Sequence, residues 1–71
     1  MESLIASDLL TLRRRVRAEF LEMPGLRLTL HQAARLWHLD QHTCRDVLLA
    51  LGHERFLLCT RSGAFVRAEV V

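Results

Sequence analysis

A mainly α-helical chain of three helices, with a short strand after the first and a small β-hairpin at the end, is the fold class this sequence predicts, and three observations predict it. Apolar residues recur at spacings of three and four in three separate stretches before residue 55, which places them on one face of a helix each time. From Phe56 onward the chain turns to phenylalanine, valine and leucine around an Arg61, Ser62, Gly63 break, the pattern of two strands and a tight turn. A length of 71 residues holds one compact core, so residues 1–71 are read as a single domain.

The first helix spans Ser7 to Glu22 and carries Ile5, Leu9, Leu12, Val16, Phe20 and Met23 as its apolar stripe. Ser7 and Asp8 suit its N-terminus, and Pro24 with Gly25 ends it. Leu26 to Leu30 is a short extended piece, with Thr29 and Gln32 forming a capping box at the head of a second helix that runs to about His38. That helix buries Leu30, Ala33, Ala34 and Trp37, and the two alanines allow a neighbouring helix to come close. Asp40 caps a third helix, with Leu39 placed to pack on Cys44 as a staple. Cys44, Val47, Leu48 and Leu51 form its inward face, and it weakens at Gly52 or reaches about Glu54. The hairpin strands are Phe56 to Thr60 and Ala64 to Val70, with Gly63 at the left-handed turn position.

Composition narrows the function. Apolar residues make up 51% and charged residues 25%, which suits a folded chain rather than a disordered one. No apolar run approaches the roughly 20 residues of a membrane span, and the N-terminus lacks a basic, apolar leader, so a cytoplasmic chain is expected. Cys44 and Cys59 then read as reduced, buried thiols rather than a disulfide. All ten basic residues are arginine, yet eight acids leave a net charge of only +2. Arginine forks suit phosphate, although the run Arg13, Arg14, Arg15 and Arg17 reads first as a solvated helix face. The mean hydropathy of +0.15 is high for so small an interior, so part of the apolar surface should meet a partner. On the first helix Leu10 and Leu21 fall off the core stripe beside Arg14 and Arg17, which makes these four the candidate surface of a homodimer.

Two helices joined by a turn of three or four residues, the first with small residues and the second with an apolar inner face, make a helix-turn-helix. The hairpin after it makes a wing. From Leu28 to Leu58 the chain reads LTLHQAARLWHLDQHTCRDVLLALGHERFLL, and this stretch resembles the bacterial winged helix-turn-helix family. Leu28, Thr29, Ala34, Leu39, Thr43, Leu48, Leu51 and Phe56 match its usual pattern, and Gln32, Ala33, Trp37, Asp40 and Cys44 are conservative stand-ins. The resemblance implies a transcriptional regulator that binds double-stranded DNA, with the third helix in the major groove and the wing on the backbone. Gln41, His42, Thr43, Arg45, Asp46 and Leu49 would face the DNA, with Gln41 and Arg45 suited to adenine and guanine. Arg27, Arg35, Arg61, Ser62 and Arg67 would serve the phosphates.

The departures from the family pattern gather on that same surface. Asp46 stands where arginine is frequent, Leu58 and Cys59 stand at wing positions that are often basic, and His38 and Arg55 replace glycines. They favour an alternative, a winged-helix adaptor or accessory subunit that binds protein through Leu49, Leu57 or Leu58. Other chemistry is thinner. His38 and His42 straddle a helix boundary, with His31 and Cys44 in no zinc-binding spacing, so no metal or other cofactor is expected. Cys44 on a packed face is a poor nucleophile, Trp37 reads as core, and no phosphate loop, carboxylate pair or triad suggests an enzyme.

Overall fold

The computed structural model describes residues 5–68, with side chains from residue 9 onward. Its elements in chain order are α1 (Ile5–Glu22), β1 (Leu28–Thr29), α2 (Leu30–Trp37), α3 (Gln41–His53), β2 (Leu57–Cys59) and β3 (Ala64–Arg67). The protein is therefore mainly helical with a small antiparallel sheet. The end of the second expected hairpin strand, at Val70, lies outside the described residues.

All three helices turn their predicted faces inward. Val16 and Phe20 of α1, Ala33, Ala34 and Trp37 of α2, and Cys44, Val47, Leu48 and Leu51 of α3 form one core with Leu57 and Phe65 of the sheet. Ala33 and Ala34 are buried where α2 meets its neighbours, and Phe20 meets Trp37 edge to face with ring centroids 6.3 Å apart. Met23 departs from the expected stripe: α1 has ended at Glu22, so its side chain leaves the core line and stands 48% exposed. Ser7 is not the cap of α1, because the helix already begins at Ile5.

Helix ends follow local chemistry. The Thr29 hydroxyl accepts from the Gln32 N–H at 3.1 Å while the Gln32 side chain accepts from the Thr29 N–H at 3.0 Å, the reciprocal box that the sequence predicts. His38 is not the last residue of α2 but its left-handed stop, at φ 57°. Its N–H donates to Arg35 and the next N–H, of Leu39, donates to Ala34. Arg55 closes α3 in the same way, at φ 65°, with its own N–H on Gly52 and that of Phe56 on Leu51. The paired bonds satisfy carbonyls that the helix ends leave open, and both left-handed positions carry a side chain where glycine is the usual residue.

Asp40 caps α3 with both carboxylate oxygens, taking the Thr43 hydroxyl at 2.7 Å and the Thr43 N–H at 3.0 Å. The hydroxyl bond first, then the backbone bond, holds its carboxyl below the ordinary carboxylate range. A lowered native pKa stabilises the fold above the unfolded value, near 4, and that contribution is lost as pH falls through the lowered value. Urea unfolding of the protein and of Asp40→Ala should therefore differ at neutral pH and converge in strong acid. A gap that stays constant over the whole range would refute a charge-dependent cap.

β3 is the centre of the sheet, whose order is β1-β3-β2. Leu28 lies opposite Phe65 and Thr29 opposite Ala64, while Leu57 to Cys59 lie opposite Arg67 to Phe65. The short strand expected after the first helix thus joins the hairpin as a third strand, and the turn closes on Gly63 at φ 90°. Alternation then sorts the wing leucines: Leu57 is buried and Leu58 is 44% exposed. Only Leu58 remains a surface anchor. Cys59, expected to be buried, is exposed at the end of the edge strand β2; Cys44 is buried as expected, and desolvation pushes its thiol pKa up.

Candidate nucleic-acid interface

α3 is covered on one side by α1, α2 and the sheet and is open on the other. Gln41, His42, Arg45, Asp46, Leu49 and His53 are exposed there, at the positions that the buried Cys44, Val47, Leu48 and Leu51 leave facing outward. The β2–β3 turn carries Arg61 and Ser62, both exposed. Arg27, just before β1, reaches the same turn, its Nη2 donating to Ser62 Oγ at 3.5 Å. Arg35 stands on the exposed face of α2, and the groove where α2 meets the head of α3 is lined by His31, Arg35, His38, Asp40 and Gln41.

The charges on this surface are not equally available. The Asp40 carboxylate is bonded to Thr43, whereas Asp46 Oδ2 lies 3.6 Å from His42 Nε2 one helical turn away, beyond hydrogen-bond distance. Arg35, Arg45 and Arg61 meet no carboxylate among the described residues. Thr43 departs from the expected phosphate donor: it is half-buried and its hydroxyl proton is committed to Asp40. Arg67 departs as well, half-buried with its guanidinium 4.9 Å from the centroid of Phe56.

The arginines of α1 divide similarly. Arg13 and Arg17 both bind the carboxylate of Glu54 at the end of α3, Arg17 Nη1 at 3.1 Å. Arg17 also lies 4.8 Å over Phe56, so the ring sits against two guanidinium groups, a favourable placement for a cation on an aromatic face. Of the expected dimer surface, Arg17 is thus engaged within its own chain. Leu10 and Leu21, 44% and 52% exposed, and Arg14 remain open.

An apolar feature adjoins the open face of α3. Leu49, Leu57, Leu58, Cys59 and Phe65 line a groove of about 290 Å³ between α3 and β2. Two other residues were not among the DNA-facing or partner-binding candidates of the sequence. Leu36 on α2 is 52% exposed, and its apolar neighbour Leu28 lies on another element. His31 contacts Gln41, with Gln41 Nε2 2.9 Å from His31 Nδ1. Ten residues separate these two, and only the α2–α3 turn brings them together.

Among the described residues, no group of three or more histidine, cysteine or acidic side chains is placed to hold a metal ion, and no helix is long and apolar enough to cross a membrane. No protein-family model, curated protein or solved structure matches the chain.

Proposed function

We propose that the protein is a winged helix-turn-helix domain that binds double-stranded DNA as a small bacterial transcriptional regulator in the cytoplasm. The observation that carries this reading is the supply of exposed arginines: among the described residues Arg35, Arg45 and Arg61 meet no carboxylate, while the Asp40 carboxylate is bonded to Thr43. A surface of available guanidinium groups around an exposed helix suits a duplex, with Gln41 and Arg45 on base edges and Arg27, Arg35 and Arg61 on phosphates.

An electrophoretic titration with random duplex DNA at low salt tests this. Binding is expected in the range of about 10⁻⁴ to 10⁻⁶ M that non-specific binders reach, and Arg45→Ala should flatten the preference among sequences while Arg61→Ala weakens all of them alike. Silence at the highest concentration would remove the DNA reading. The groove beside Leu49 and Leu58 favours the second reading, a protein-binding adaptor; retained partner binding by a variant that has lost DNA, and its loss in Leu49→Asp, would distinguish it. Dimerisation is proposed through Leu10, Arg14 and Leu21 of α1, and sedimentation showing a monomer at micromolar concentration would exclude it.

A further inference from the structure

The outer face of α1 carries charges of both signs in a fixed order. Thr11, Arg14, Arg15, Ala18, Leu21 and Glu22 are all exposed, on the side of the helix away from the buried Val16 and Phe20. None of Arg14, Arg15 and Glu22 meets an opposite charge among the described residues. We propose that this face binds a second copy of the chain antiparallel, about a two-fold axis at Ala18, with Arg15 of each copy paired to the partner's Glu22. The arrangement rests on the dimer reading above.

Helical spacing sets the register. Residues seven apart are nearly two full turns apart, so they fall on nearly the same line along a helix. Arg15 and Glu22 form one such line beside Ala18, and Arg14 and Leu21 form the line on its other side. An antiparallel two-fold pairing lays each line against its own copy running the opposite way, which makes every contact reciprocal. Ala18 lies midway between Arg14 and Glu22. With the axis there, Arg15 comes level with the partner's Glu22 to within one residue, or about 1.5 Å. On the other line Leu21 lies against the aliphatic stem of the partner's Arg14, since long basic side chains cover apolar surface while their charge stays in water.

Charge also decides the direction. A parallel pair would set Arg14 on Arg14, Arg15 on Arg15 and Glu22 on Glu22, and like charges brought together oppose association. The antiparallel pair replaces these contacts with two attractions. Ala18 meets its own copy at the crossing, where a single methyl group keeps the two helices from being held apart.

Disulfide trapping tests the register, in a Cys59→Ser background because Cys59 is exposed while Cys44 is buried. Two Ala18→Cys chains should join on mild oxidation, the axis bringing their Cα atoms within the roughly 7 Å that a disulfide spans. Thr11→Cys should not join, because it lies about 10 Å along the helix from the axis and so about 20 Å from its own copy. Sedimentation equilibrium tests the charges. Arg15→Glu and Glu22→Arg should each weaken association about tenfold, as two exposed attractions become two repulsions, and the double variant should restore it. A protein that is monomeric at micromolar concentration removes the dimer reading and this proposal together. A dimer that fails to link through Ala18→Cys, that links as readily through Thr11→Cys, or that the charge reversals leave unchanged overturns this proposal alone.

Discussion

Phe20→Ala is expected to cost about 3–5 kcal/mol of folding free energy, the range for removing a fully buried aromatic ring. Phe20 has no exposed surface and packs edge to face on Trp37, so it joins α1 to α2 across the core. Its removal leaves a cavity bounded by side chains of separate elements, which can close only if a helix moves. A small domain sits at the low end of a typical stability of about 5–15 kcal/mol, and the variant should be largely unfolded at physiological temperature. Leu21→Ala, the next residue but 52% exposed, should change stability by no more than about 0.5 kcal/mol. Urea unfolding followed by circular dichroism measures both; equal effects would mean that α1 is not docked through its predicted face.

The second large effect is on the salt dependence of DNA binding. With Arg27, Arg35 and Arg61 on phosphates, the logarithm of affinity should fall with the logarithm of salt at a slope of about −2.7, or roughly 40-fold between about 50 and 200 mM. The triple variant Arg27→Ala, Arg35→Ala, Arg61→Ala should bind weakly and with little salt dependence. Arg13, Arg17 and Arg67 are left out of this count because their guanidinium groups are engaged within the protein by Glu54 or over Phe56. Replacing Arg17 should therefore lower stability without changing the slope. A slope near zero in the unsubstituted protein would sink the phosphate assignment.

Several features of the fold were legible because they depend on neighbours in the chain. The Thr29–Gln32 box, the Asp40 cap and the turn at Gly63 each involve residues within four of one another, and backbone geometry alone brings such residues together. The inward faces of α2 and α3 follow from a periodicity of 3.6 in the same way. Cys59 was not legible: alternation would return it to the inner face with Leu57, and its exposure is set by its place at the end of the edge strand. Met23 was misplaced because the apolar stripe continues past the point where Pro24 and Gly25 stop the helix.

The candidate site shows the same division more sharply. The chemistry of Gln41, Arg45 and Arg61 could be read from residue type and position, as could the exposed leucines Leu10, Leu21 and Leu49. Whether each polar group is available could not be read. Glu54 takes Arg13 and Arg17 from 41 and 37 positions away, and Thr43 gives its proton to Asp40.

What the sequence determined by itself is the set of helices and turns, the residues that face the core, and the residue types on the open face of α3, since these arise from local sterics and hydrophobic periodicity. Tertiary structure alone decided that β1 completes the sheet along β3, that Phe56 lies against Arg17 and Arg67, and that His31 holds Gln41. Those contacts join segments distant in sequence, and their partners are selected by the packing of the whole core rather than by any stretch of it.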